Sequence, residues 1–168
     1  KGGVTIRLVM LDTTPLIDRY RENKSYKDAK EQDKEAQLQW LDKVLSEATE
    51  DWVIVAGHHP IHAYTTKSKV ERVAMQEAVN SILRKHDNVA MYICGHIHSF
   101  QHLREKGCNI DYLVSSSASQ ARSVKRTKGT VYCSPEPGFS VITASKKRLS
   151  VHMIDKNGNV LHSVNKRK

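Results

Sequence analysis

Two apolar runs in this chain each end in a glycine followed by a histidine. Trp52-Val53-Ile54-Val55-Ala56 leads into Gly57-His58-His59-Pro60, and Val89-Ala90-Met91-Tyr92-Ile93-Cys94 leads into Gly95-His96-Ile97-His98. Neutral imidazole is the commonest protein ligand for metal ions, so the question is whether these rings converge. His96 and His98 are two residues apart, and on an extended segment they share one face, where one metal or two adjacent metals could take both. If the two runs are parallel neighbours, His58 adds a third imidazole at the same edge. A single histidine at a strand end is ordinarily a hydrogen-bonded structural residue; the repeated Gly-His step, once as GHxH, points instead to metal. The remaining histidines (His59, His62, His86, His102, His152 and His162) read by default as surface or helix-end residues. His59 and His62 stand apart as catalytic candidates, because Pro60 stiffens the loop that carries them beside His58.

The elements that must position these rings can be read from periodicity. Residues 4–11 are apolar and rich in β-branched side chains, which predicts a buried strand stopped by Asp12-Thr13-Thr14-Pro15. Residues 18–35 are densely charged and predict a surface loop that leads into a helix. Trp40, Leu41, Val44, Leu45 and Ala48 share one face of that helix. Residues 52–56 form the next strand. A second helix begins at a capping box of Ser68 and Glu71, buries Val70, Val73, Ala74, Ile82 and Leu83, and ends in Arg84, Lys85 and His86. Residues 89–94 form a third strand. Beyond residue 100 short strands are expected over 102–104, 112–115, 138–144, 149–154 and 160–164, with a long polar loop over 115–130 and an Asn157-Gly158 hairpin turn. Strand, helix, strand, helix, strand and a β-rich tail make one α/β unit over residues 1–168, built on a mixed sheet with two helices. In such sheets ligands bind at the carboxyl ends of the strands, where glycine lets the backbone turn off sharply.

Composition narrows the function classes. The chain has 168 residues, 39% hydrophobic and 27% charged, which excludes general disorder. No apolar run approaches the roughly 18 residues of a membrane-spanning helix. Twenty-seven Lys and Arg against 18 Asp and Glu give +9, which favours anionic partners. The basic residues gather over 122–128, 146–148 and 166–168, on a Ser-rich loop, a hairpin region and an expected frayed tail. Without interleaved aromatics or a recognition helix, nucleic acid is not an expected partner and solvated charge is the default. Arg122, with Lys125 and Arg126, is the candidate for holding a phosphorylated substrate. Three cysteines (Cys94, Cys108, Cys133) without a CxxC pair argue against a disulfide framework or a four-cysteine zinc site, with one bridge plus a free thiol still open. A chain opening at Lys1 fits either a mature terminus or a fragment boundary.

The two Gly-His steps resemble the last two signature motifs of the calcineurin-like metallophosphoesterases, and most closely those of the purple, tartrate-resistant-type acid phosphatases. Leu11-Asp12-Thr13 ending a strand, Gln39-Trp40-Leu41 in the following helix, Asp111-Tyr112-Leu113-Val114-Ser115 after the GHxH, and a closing segment from Pro137-Gly138-Phe139 match in the same order. The resemblance implies half of an α/β/β/α sandwich and hydrolysis of phosphate monoesters at a two-metal centre. In it His58 and His96 would bind the second, divalent ion and His98 the first, with Fe, Zn or Mn as the metals. A phosphodiesterase or nuclease of the same superfamily is the enzymatic alternative, and a non-catalytic basic binding module the other. The family's Asp-bearing first strand, its Gly-Asp step and its Gly-Asn-His step have no counterpart in these residues. Three neutral imidazoles cannot neutralise two multivalent cations, so the chain reads as the carboxyl-terminal half of a domain whose amino-terminal half lies elsewhere. Alone, it is expected to be inactive or weakly active. Asp12 is expected to serve a turn rather than a metal. The resemblance also implies export from the cytoplasm and a phosphorylated small-molecule or protein substrate.

Overall fold

The two runs that end in Gly-His are adjacent parallel strands in the computed structural model, which describes residues 3–66, 69–116 and 118–168. β1 (Ile6–Leu11), β2 (Trp52–Gly57), β3 (Val89–Cys94) and β5 (Asp111–Val114) run parallel; β4 (Phe100–Arg104) lies antiparallel between β5 and β6 (Thr130–Ser134). The order across this mixed sheet is β1-β2-β3-β5-β4-β6. A second, antiparallel sheet holds β7 (Gly138–Ala144), β8 (Arg148–Asp155) and β9 (Val160–Arg167).

The period-2 alternation of strand side chains divides the interior in two. Val53 and Val55 of β2 join Val9, Tyr92, Leu41, Leu45, Met75 and Leu83 in a core between sheet and helices. Trp52 and Ile54 point the other way, with Met91 and Leu113, onto Leu149, Val151, Met153 and Val164 of the second sheet. The result is three layers, helices on a mixed sheet on an antiparallel sheet, which is the α/β arrangement expected. Each fully buried aliphatic side chain contributes about 1.5–3 kcal/mol.

Several local expectations are corrected. The charged stretch before the first long helix contains two short helices, α1 (Asp18–Arg21) and α2 (Lys27–Glu31). α3 (Lys34–Ser46) starts where the Asp33 carboxylate accepts the Ala36 N–H at 2.9 Å. Leu41 and Leu45 are buried as expected, but Trp40 is exposed. The next helix is not one regular rod: α4 (Lys69–Met75) passes into a π-helical turn (Gln76–Asn80) and then α5 (Ser81–Leu83). A π turn carries an extra residue, so the buried stripe changes phase along the helix. Ile82 and Leu83 are buried as expected, but Val70 and Val73 are 54% and 43% exposed, and Glu71, Met75 and Val79 are buried in their place. Ser68 lies outside the described residues, and the expected capping box with it; the Glu71 carboxylate turns inward.

β1 is half-buried, not buried: Val9 and Leu11 enter the core while Ile6, Leu8 and Met10 are exposed. β6 was not expected at all. The tail is not frayed, because β9 runs to Arg167 and Lys166 donates to the Ala90 carbonyl at 2.7 Å and to that of Asn109. The hairpin turn at Asn157-Gly158 forms as expected, with Gly158 at φ 87° and the Asp155 carboxylate accepting the Asn157 and Asn159 N–H groups at 2.8 Å each. All three cysteines are free thiols. Among the described residues no helix is long and apolar enough to cross a membrane.

Candidate metal centre

β2 and β3 end side by side, with Ala56 opposite Ile93, so the residues that follow leave the sheet together. The Gly95 N–H donates to the His58 carbonyl at 3.2 Å and ties the two exits to each other. His96 Nδ1 then lies 2.9 Å from His58 Nε2. The rings of His58, His59 and His96 form a triangle with centroid separations of 4.9, 4.8 and 4.6 Å. One ring nitrogen from each lies within 4.8 Å of the others. Two nitrogens bound to one ion at 2.0–2.1 Å stand about 2.9 Å apart at a right angle and about 3.3 Å apart in a tetrahedron, so the His58–His96 pair, now at hydrogen-bond distance, needs to open by only a few tenths of an ångström to ligate one metal.

The backbone reaches this geometry differently from the expectation. Neither Gly57 nor Gly95 has a positive φ; the left-handed residues are His96 at 70° and His98 at 53°. Residues 96–98 are therefore not an extended segment with both rings on one face. His98 stands outside the three-histidine group, its Nδ1 buried with no hydrogen-bond partner. Left-handed backbone costs a non-glycine residue about 1–2 kcal/mol, a cost that concentrates at functional sites. Gly57 is required for space: a Cβ there would stand 2.6 Å from Thr13 Cγ2 and 2.7 Å from the Tyr92 hydroxyl oxygen.

That crowding serves His59. Its ring is buried, with Nδ1 2.7 Å from Thr13 Oγ1, while its backbone N–H donates to the same hydroxyl at 3.2 Å. The Tyr92 hydroxyl donates to the His59 carbonyl at 2.8 Å. His59 is thus a fixed interior residue, not a surface one. His62 lies outside the histidine group, edge-on against Tyr112 at 4.5 Å, with Gln76 3.3 Å and Glu105 3.5 Å from its ring nitrogens. Burial lowers its pKa, against the pull of Glu105. Arg122 is exposed, and its backbone N–H donates to the His98 carbonyl at 2.9 Å. Asp12 takes a turn role, accepting the Thr14 N–H at 3.1 Å. His102 is also interior, 2.7 Å from the Asp111 carboxylate.

Sequence reasoning missed Glu71. Its carboxylate, 4% exposed as a residue, puts Oε2 3.0 Å from His96 Nε2 while Oε1 accepts the Tyr20 hydroxyl at 2.8 Å and Arg19 at 3.3 Å. Burial works against its ionisation, but the hydrogen bonds from Tyr20 and His96 outweigh it and hold the carboxyl below its usual range. Burial, then the bond to Glu71, pushes the Tyr20 hydroxyl up to about 12. The one signal in the sequence was a carboxylate inside an otherwise apolar stripe.

Imidazoles converge where two parallel strands of the mixed sheet end, with a buried carboxylate behind them, and this donor set suits a metal ion. Residues 1–100 match the calcineurin-like phosphoesterase family, and the chain belongs to that family. It is similar to human tartrate-resistant acid phosphatase type 5, 28% identical over 95% of this chain and 52% of that one. It is similar also to purple acid phosphatase 3 of Arabidopsis thaliana, 29% identical over 94% of this chain and 45% of that one. The chain thus spans about half the length of the curated relatives it matches. Among solved structures, GAP50, the anchor in the inner membrane complex of Plasmodium, shares the fold with a TM-score of 0.77 at 20% identity, over 98% of this chain and 50% of that one.

Proposed function

We propose that this chain supplies the histidine half of a two-metal centre that hydrolyses phosphate monoesters, as an acid phosphatase does. The observation that carries the reading is the meeting of His58 Nε2 and His96 Nδ1 at 2.9 Å where two parallel strands end. His58 and His96 hold the second, divalent ion and His98 the first, with Fe, Zn or Mn as the candidates for these imidazole ligands. Bound metals supply Lewis acidity to ester oxygens and lower the pKa of water. Of the two candidate proton carriers His59 is the better placed, its ring 4.6 Å from that of His96. Arg122, tied through its backbone to His98, is the candidate for binding the substrate phosphate, on a phosphorylated small molecule or protein.

Residues 1–168 are then one unit, the carboxyl-terminal half of a domain. Exposed apolar surface supports this. Ile6, Leu8 and Met10 register with Trp52, Ile54 and Ala56, so they lie on the face that the second sheet covers elsewhere, yet they are exposed. Phe139 and Val141 of β7 are exposed as well. The amino-terminal half of the same domain covers these surfaces and brings the missing carboxylates. Export is part of the same proposal and is tested by cell fractionation.

The full-length protein, loaded with Mn²⁺, Zn²⁺ or Fe²⁺, should hydrolyse p-nitrophenyl phosphate faster than bis(p-nitrophenyl) phosphate, and His96→Ala should abolish turnover. The reverse preference would move the assignment to a diesterase, and no turnover with any of the three metals would overturn it. The 168 residues alone should bind one metal weakly and turn over little. Robust hydrolysis by that piece would refute the half-site reading.

A further inference from the structure

α4 exposes two valines and buries a carboxylate between them, the reverse of what packing alone would select. Val70 and Val73 face solvent while Glu71 is 4% exposed. A local rule broken without a packing gain marks a residue held for another purpose. Glu71 Oε2 lies 3.0 Å from His96 Nε2, the ring nitrogen on the side away from His58, and His96 Nδ1 faces His58 at 2.9 Å.

We propose that Glu71 is a positioning residue for His96: its carboxylate fixes the ring proton on Nε2 and so keeps the lone pair of Nδ1 available to the metal. This rests on the metal-centre reading above. A neutral imidazole carries one proton, and an ionised carboxylate only accepts, so the nitrogen that faces Glu71 is the protonated one. Tyr20 and Arg19 both donate to Oε1, at 2.8 and 3.3 Å, which leaves Oε2 to His96 and fixes the plane of the carboxylate. Elements far apart in sequence thus set one tautomer: α1 holds α4, and α4 holds the loop after β3. Carboxylate partners of this kind are generally worth about 10–100-fold in metal affinity.

Glu71→Gln is nearly isosteric and reverses the pattern. With Tyr20 and Arg19 still donating to Oε1, the amide NH₂ must face His96 Nε2 and donate to it, which moves the ring proton onto Nδ1. In the metal-free full-length protein at about pH 8.5, above the ordinary histidine range, ¹⁵N NMR should show His96 as the Nε2–H tautomer in the wild type and the Nδ1–H tautomer in E71Q. Titration calorimetry with Mn²⁺ should show affinity about 10–100-fold weaker in E71Q. Tyr20→Phe, which leaves Glu71 in place, should shift affinity in the same direction by a few-fold and serves if E71Q does not fold. A wild-type His96 protonated on Nδ1, or variants with unchanged tautomer and affinity, would overturn the proposal. If the wild type itself bound no metal, the centre would fail as a metal site, and the tautomer comparison would still decide the role of Glu71.

Discussion

Glu71 and Asp111 are both buried carboxylates paired with histidine, at opposite ends of the same sheet, and they are finished differently. Asp111, at the start of β5, has His102 Nε2 at 2.7 Å and Arg104 Nε at 2.6 Å on one oxygen and Lys166 Nζ at 3.1 Å on the other. His102 continues to His162 at 3.0 Å, and His162 stacks on Tyr132 at 4.5 Å. Two permanent cations saturate this cluster, and it bolts β4 and β5 of the mixed sheet to β9 of the other. Glu71 is held by a phenol, one exposed arginine and an imidazole whose other nitrogen faces a second imidazole. A carboxylate saturated by fixed cations supports the fold; one that ends on imidazoles can govern what those imidazoles bind.

The largest effect expected from this contrast is at the saturated end. Asp111→Ala strands two cations and should cost about 3–5 kcal/mol in urea unfolding, while the folded fraction keeps its metal affinity. Loss of affinity without loss of stability would erase the distinction between the clusters. The same site sets an acid limit. Burial alone would raise the Asp111 carboxyl, but His102, Arg104 and Lys166 overcome it and hold the group well below its usual range. Because the folded value is depressed, its stabilising share is complete above about pH 4 and drains as pH falls towards the folded value. Asp111→Asn should therefore flatten the acid limb of a stability–pH profile.

At the other end smaller changes should touch the site more than the fold. Gly57→Ala pushes a methyl group into Thr13 and the Tyr92 hydroxyl, at about 1–3 kcal/mol, and should displace the His59 ring signals in NMR spectra. Thr13→Val removes the hydroxyl beside His59 Nδ1 and should cost about 1–2 kcal/mol in thermal unfolding. If either variant left the His59 resonances unmoved, the crowding around Gly57 would be packing without bearing on the site.

The parts of this molecule legible in the sequence are those set by local pattern. β3 and β7 have the expected bounds because apolar or alternating residues are flanked by turns, and the Gly-His steps mark where β2 and β3 leave the sheet. What was hidden depends on partners far along the chain. Glu71 looked like a capping residue because its companions, Tyr20 and His96, lie 51 and 25 positions away. Lys166 looked like tail charge because Asp111 meets it only through the pairing of two sheets. Trp40, Val70 and Val73 were misplaced for a further reason: apolar character does not say which face a helix turns inward, and one π turn changes the answer.

His98 is the residue that a heat-driven selection would attack first: its backbone is left-handed and its buried Nδ1 has no hydrogen-bond partner, whereas His96 also anchors the buried Glu71 carboxylate. Asparagine or glycine at position 98 relieves the left-handed backbone and should raise the melting temperature through about 1 kcal/mol of recovered strain. A laboratory lineage bred for endurance alone would therefore drift towards a sturdier protein that has lost the second histidine of its GHxH loop, and the metal affinity of its survivors would record what that ring contributes.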